Sequence, residues 1–292
     1  VSLHFIKVRK IWYAISIAVI LPGLISLFLH GLNLGIDFKG GNILEVRFDQ
    51  PVTADQVRKT VDGLHLGDNT IQQSGANDYI VRTRHLTQDE SDALLAALNK
   101  IHKATMMQNQ SIGPSFGREL AMKAVWALLI AIVLKLIYIA FRFEFKQGIA
   151  AIIALLHDTL VVLGIFSLFH LQVDSSFVAA ILTTIGYSIN DTIVIFDRIR
   201  ENMRARKKGE ALEDVVNVSL WQTLARSINT VLMVIFVLAA LYFLGGSTIH
   251  DFVLALLVGV ISGAYSSICN ASPLWVDFKL LEKRGKTGTA RA

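Results

Sequence analysis

The residues with the clearest capacity for chemistry lie together in one apolar stretch, Thr183-Thr184-Ile185-Gly186-Tyr187-Ser188-Ile189-Asn190-Asp191-Thr192. On a helix, Thr184, Ser188 and Asp191 recur at i, i+4 and i+7, and Thr183, Tyr187 and Asn190 repeat that spacing one step around. The two rows make a broad polar stripe that cannot face lipid. Asp191 precedes Arg198 by about 10 Å of helix at ~1.5 Å per residue, which sets it near the middle of a bilayer. A carboxylate at that depth costs ~2.5–3.5 kcal/mol on insertion scales, so it must face protein or a water-filled path. A carboxyl kept from water can take up and release protons near neutral pH. Proton relay is therefore one reading of Asp191, and a hydroxyl-held carboxylate that merely joins helices is the other. Sodium is an alternative coupling ion, because the hydroxyl and amide oxygens beside Asp191 are hard ligands.

A second titratable pair, His157-Asp158, lies in another apolar stretch, with Asp158 about 16 Å along a helix from Gln147 and so at a depth similar to that of Asp191. Adjacent helical residues point about 100° apart, so the pair need not touch; a proton relay and an interhelical hydrogen bond are both open. Thr223, Arg226 and Thr230 share one helical face, from which Arg226 either snorkels to the interface or pairs with a buried carboxylate. Lys135 interrupts an apolar run, and its stem is long enough to carry the ammonium to the headgroups. Gly259, Gly263 and Ser267 recur at four-residue spacing, which reads as a helix-packing face. Gly35-Ile36-Asp37-Phe38-Lys39-Gly40-Gly41 lacks the GxxxxGK[ST] order of a phosphate loop and reads as a tight turn. The single cysteine, Cys269, is expected to be buried, and no residues have metal-ligand spacing or imply a cofactor.

Such side chains need membrane helices to hold them. Of 292 residues 53% are hydrophobic and 17% charged, which is too apolar for one water-soluble domain. The net charge of +5 comes from Lys and Arg clustered beside apolar runs, a sign of topology control rather than of nucleic-acid binding. Runs long enough to span ~30 Å of hydrocarbon lie near 11–30, 119–141, 148–169, 175–197, 224–244 and 250–276. The first lacks a signal-peptide cleavage pattern and reads as an uncleaved helix; the sequence opens on Val, so its N-terminus is an open point. Six crossings put both termini on one side. Arg142 and Lys146 in one loop, Arg198 to Lys208 in another, and Lys279, Lys283, Arg284 and Lys286 in the tail place that side in the cytoplasm. The loops at 170–174 and 245–249 carry no Lys or Arg, as the opposite side requires.

Residues 39–118 are polar with short alternating patterns. A strand around 43–48, a helix opened by a Thr53/Gln56 capping box, strands near 69–74 and 78–84, a helix opened by Thr87/Glu90 and a strand near 104–112 give the order βαββαβ. That order predicts a ferredoxin-like arrangement. The expected fold is thus a membrane all-α bundle of six transmembrane helices plus one extracytoplasmic α+β domain. The divisions fall at 1–38, 39–118, 119–276 and 277–292.

Three blocks, in this order and spacing, resemble the signatures of the SecF branch of the SecD/SecF family, in the resistance-nodulation-division superfamily. They are Leu34 to Gly41, with Gly35, Asp37, Gly40 and Gly41; Ile185 to Asn202, with Gly186, Tyr187, Ser188, Asp197 and Arg198; and Val258 to Ser267. The resemblance implies a heterodimer with SecD, whose six helices complete a pseudo-symmetric bundle, and association with the SecYEG channel, with YajC as a further associate. It implies no enzyme activity. The pair would use the proton gradient to help draw preproteins across the bacterial inner membrane. The carboxylate that the family uses for proton coupling matches Asp191, with Asn190, Asp158 and Arg226 grouped beside it. Lys135 departs from the apolar residue expected there. Competing readings are a proton-driven exporter of lipids or small molecules, an intramembrane aspartyl protease built on Asp158 and Asp191, and a passive assembly subunit.

Overall fold

The computed structural model describes residues 3–67, 69–246 and 249–289, and the side chains of all of these except 114, 136, 140 and 283–289. The tail cations Lys283, Arg284 and Lys286 thus have side chains outside the described residues. Helix α1 (Arg9–His30) leads through β1 (Asn33–Leu34) and the single-turn α2 (Ile36–Lys39) into a sheet domain. That domain consists of β2 (Gly41–Phe48), α3 (Ala54–Asp62), β3 (Thr70–Gln73), β4 (Asp78–Thr83), α4 (Gln88–Leu98) and β5 (Ala104–Ile112). There follow α5 (Pro114–Arg142), α6 (Phe145–Leu168), β6 (Gln172–Val173), α7 (Ser175–Arg204), α8 (Leu212–Leu244) and α9 (His250–Ser266). The last continues through a π turn at Ser267–Ala271 into α10 (Ser272–Thr289). Among the described residues six helical stretches are long and apolar enough to cross a membrane.

In the sheet domain the strands run in the order β3-β4-β2-β5, every pair antiparallel, with a bulge between Glu45 and Val46. Alternation along β2 and β4 turns Leu44, Val46, Phe48, Tyr79 and Val81 into a core with Val57, Val61, Leu94 and Leu98 from the two helices. Both capping boxes form, each Thr side chain accepting the N3 backbone N–H.

The membrane bundle departs from the apolar-run reading in three ways. The stretch 198–223, expected as a loop, is mostly helix, and only residues 205–211 separate α7 from α8. Hydropathy marks contact with lipid, whereas these extensions are amphipathic and bury Ile199, Leu212, Val216 and Leu220. Helix α5 likewise begins inside the stretch assigned to the soluble domain. Finally, the tight turn expected at Gly35–Gly41 is a single turn of helix, and next to it β1 pairs in parallel with β6, a contact that the apolar runs do not signal. Gly40 (φ 81°) and Gly41 (φ 154°) have backbone conformations that favour glycine, and a Cβ on Gly41 would lie 2.3 Å from the Thr83 carbonyl oxygen.

Close helix contacts depend on missing side chains. Gly23 on α1 meets Gly164 on α6 so tightly that a Cβ on the first would sit 2.5 Å from the Cα of the second. On α9, a Cβ at Gly259 would lie 2.3 Å from Thr184 Cγ2, and one at Gly263 would lie 2.9 Å from Ser188 Cβ. Contact at this range brings α7 and α9 near enough for short hydroxyl side chains to reach across.

Candidate functional site

Asp158 is 1% exposed in the middle of the bundle, on α6. Ser188 from α7 donates to its Oδ2 at 2.6 Å, Ser266 from α9 donates to the same oxygen at 2.8 Å, and Ser262 donates to Oδ1 at 2.7 Å. His157 Nδ1 lies 3.0 Å from Oδ1, so the two adjacent side chains do meet, against the geometric expectation that they need not. With Asp158 ionised, that contact places the ring proton on Nδ1. Three helices thus converge on one carboxylate through hydroxyls set within reach by Gly259 and Gly263. The hydroxyls extend to the π turn: Ser267 Oγ lies 2.8 Å from Thr192 Oγ1 and donates to the Ser188 carbonyl at 3.3 Å.

Asp191 stands on the same α7 one turn beyond Ser188, but with different surroundings. Ser227 from α8 donates to its Oδ1 at 2.6 Å, while Oδ2 is buried with no hydrogen-bond partner among the described residues. The polar stripe of α7 therefore divides. Thr184, Ser188 and Thr192 turn inward toward α9, whereas Thr183, Gly186 and Asn190 are exposed, and Asp191 and Tyr187 lie half-buried between. Asn190 is exposed, and among the described residues no hydrogen bond joins it to Asp191. Arg226 is exposed and forms no ion pair with Asp191 among the described residues. It lines a cavity of about 390 Å³ with Val194, Asp197, Arg198, Gln222 and Thr223. Lys135 also departs from expectation. Its ammonium does not reach for headgroups but is buried with no hydrogen-bond partner among the described residues, 3.9 Å from where a Cβ would stand on Gly186.

The remaining motif residues brace α7 at both ends. At its start, Asp37 Oδ2 accepts the Ser175 backbone N–H at 2.9 Å and the Ser175 hydroxyl at 2.5 Å, and the Gly35 N–H donates to the Val173 carbonyl at 2.7 Å. The chain runs from this clamp directly through Gly40 and Gly41 into β2. At the far end, Asp197 accepts from Arg142 of α5 at 3.2 Å and from Arg200 at 2.8 Å. Arg198 donates to Gln222 of α8 at 2.7 Å and to Glu201 at 2.6 Å. Of the four serines that donate to the carboxylates, sequence reasoning picked out Ser188 and missed Ser227, Ser262 and Ser266. The i, i+4 pair Ser262/Ser266 and the placement of Ser227 four residues after Thr223 were available signals.

Two family models match the chain: that of "Protein export membrane protein SecD/SecF, C-terminal" over residues 92–281, and that of the "SecD/SecF GG Motif" over residues 25–52. The Protein translocase subunit SecF of Thermobaculum terrenum is 43% identical over 95% of this chain and 94% of that protein. The Protein translocase subunit SecDF of Bacillus subtilis is 42% identical over 94% of this chain but 38% of its own length. A crystal structure of SecDF from Thermus thermophilus, a translocon-associated membrane protein, superposes with a TM-score of 0.84 at 35% identity. It is matched over 95% of this chain and 38% of its own, so this chain spans well under half of that solved protein.

Proposed function

We propose that this chain, which belongs to the SecD/SecF family of protein export membrane proteins, is the SecF-type half of a pair that uses a proton gradient to assist preprotein export. The observation that carries the reading is Asp191: a carboxylate midway along a membrane helix, held on one oxygen by Ser227 and buried on the other with no hydrogen-bond partner among the described residues. Uptake of a proton there removes the charge and with it the need for polar company, which changes how α7 packs against its neighbours. Asp37 joins the start of α7 to the segment entering β2, so a shift of α7 would reach the sheet domain through a short, hydrogen-bonded path.

The partner of this half is SecD. Thr183 and Asn190 are exposed at membrane depth beside the half-buried Asp191, and polar groups there require a protein face. Relatives whose name combines both halves, such as the SecDF of Bacillus subtilis, favour that assignment. The pair would act with SecYEG, and with YajC, on preproteins in the bacterial inner membrane. The excess of Lys and Arg at 198–208 argues for cytoplasmic termini and an extracytoplasmic sheet domain. A probe at Lys207, after replacement of Cys269, should label only from the cytoplasmic side; labelling from outside would reverse the orientation.

The test of mechanism is Asp191→Asn, which keeps the size and hydrogen-bonding capacity of the side chain and removes its titration. Inverted vesicles carrying the variant with SecD should assemble normally and keep ATP-driven export while losing the increment that a proton gradient adds. Asp158→Asn should give a milder defect. Export by Asp191→Asn that responds to the gradient as the parent does would make Asp191 structural and leave the passive assembly subunit as the surviving reading.

A further inference from the structure

We propose that the cleft between the sheet domain and the adjoining ends of α1, α6 and α7 binds the phosphate headgroup of an anionic lipid. The cleft has a volume of about 750 Å³, and its lining includes Lys39, Arg82, Arg84, His85, His170 and Gln172. None of its lining residues is acidic. Some of this charge is already shared. Arg84 pairs with Glu90 at 2.7 Å, and Arg82 donates to Gln72 at 2.7 Å and lies close enough to Asp251 to interact with it electrostatically. Lys39 is exposed and has no ion pair among the described residues, so its ammonium is available to a ligand.

Position selects the source of the phosphate. The floor of the cleft is the β1–β6 ladder, which lies between the end of α1 at His30, the end of α6 at Leu168 and the start of α7 at Ser175. Three apolar helices end or begin there, so the cleft stands at headgroup depth. Immediately on the membrane side of it, Phe28, Leu29, Leu168 and Phe169 are exposed, Phe28 by 90%. A cationic cleft above an exposed apolar collar fits an amphiphile, whose phosphate meets Lys39 and Arg82 while its acyl chains lie along the collar. Free phosphate would use the cations and leave the collar bare. An acidic peptide would likewise not need it.

The experiment uses the full chain in a neutral maltoside detergent and native mass spectrometry. The probes are dihexanoyl phosphatidylglycerol, dihexanoyl phosphatidylcholine, inorganic phosphate and hexaglutamate. Phosphatidylglycerol should be retained well above phosphatidylcholine and above both soluble anions. Lys39→Gln, which breaks no side-chain hydrogen bond or ion pair among the described residues, should lower its occupancy about fivefold, the effect of about one basic group at a membrane surface. Lys207→Gln, at the opposite end of the bundle, should leave it unchanged. Arg82→Gln provides a second variant on another element and should also weaken binding. Equal retention of the two lipids, an equal loss in Lys207→Gln, or binding of phosphate or hexaglutamate as tight as that of phosphatidylglycerol would each overturn the proposal.

Discussion

Asp158 and Asp191 are the same residue type at similar depth, and Ser188, one turn from Asp191, touches Asp158. Their surroundings are opposite. Asp158 accepts from three hydroxyls on two neighbouring helices and meets a histidine, so its acceptor capacity is filled from inside the chain. Asp191 has one hydroxyl and one oxygen without a partner, at the margin of the bundle. A filled shell holds a carboxylate and the helices around it in one arrangement, whereas a buried oxygen without a hydrogen-bond partner gains from taking up a proton, which changes the arrangement. Under the proposed function, the first is a joint and the second a working group. The contrast arises from neighbours, since serine at positions 188, 262 and 266 encloses one site and Ser227 alone serves the other.

The largest expected effect breaks the joint. Asp158→Ala leaves Ser188, Ser262 and Ser266 without their acceptor at the centre of the α6–α7–α9 contact. Interhelical hydrogen bonds in membranes average ~0.6 kcal/mol and reach ~1.7, so their combined loss should cost about 2–4 kcal/mol. Cys269 is the only cysteine and is buried beside this hub in the π turn, so thiol-reactive dye labelling during heating reads the loss directly. Asp191→Ala removes one such bond, and its melting curve should stay within about 1.7 kcal/mol of the parent. Equal melting of the two variants would erase the distinction drawn between the sites.

Packing sharpens the same comparison at the next level down. Gly259→Leu drives a side chain into Thr184, where even a Cβ has no room, and should cost about 1–3 kcal/mol by forcing α7 from α9. Gly186→Ala adds a methyl facing Lys135 at ordinary contact distance and should be near neutral by the same dye assay. The two glycines lie on the two sides that α7 and its neighbours present: one faces the closed hub, the other the exposed margin.

What the sequence made legible follows the range of the forces involved. Both capping boxes could be read because they are bonds between residues three apart, and the sheet-domain elements fall close to their expected positions because alternation is a local signal. The α7 stripe was legible as polar, but not its division into an inward and an exposed side, which depends on where α8 and α9 lie. The Gly259/Gly263/Ser267 ridge drew attention away from Ser262 and Ser266 beside it, because small residues and hydrogen-bonding residues alternate around the same helix face. Thr223, Arg226 and Thr230 mark a polar face of α8, but the hydrogen bond to Asp191 comes from Ser227, and which of these side chains meets it depends on how α8 packs on α7. The two-residue β1–β6 ladder is too short to give any pattern, and its partners are far apart in the chain.

Asp37 tests whether the two carboxylates share a frame. It holds the start of α7, the helix that supplies Ser188 to one site and Asp191 to the other. Asp37→Ala removes the acceptor for the Ser175 N–H and hydroxyl and should cost about 0.5–2 kcal/mol, as loss of a helix cap does. Hydrogen exchange should quicken in the first turn of α7 and in β2 together. Faster exchange in α7 with β2 unchanged would disconnect the sheet domain from the helix and remove the mechanical link from the proposed mechanism.

The smallest effect comes from carboxylates in water, which set the scale for the other two. Glu90 lies at the surface with a third of its side chain exposed, and the Arg84 guanidinium, with the Thr87 backbone N–H, holds its carboxyl down to about 2. Asp78 is held below its usual range in the same way by Arg47. A folded-state value below the unfolded one means that ionised Glu90 favours the folded domain above the unfolded carboxyl range, near ~4.3, and that the contribution is lost as pH falls toward about 2. Solvent and salt screen such a pair, so the change should be confined to the first turn of α4 and weaken at high ionic strength. Hydrogen exchange of residues 88–94 should therefore show protection that declines between roughly pH 5 and 2 in the parent. In Glu90→Gln, which keeps a side-chain acceptor for the Thr87 N–H but cannot titrate, the protection should not follow pH in that window. A decline of equal size in both proteins would show that Glu90 contributes nothing through its charge, and that even this local pair is an ornament of the surface.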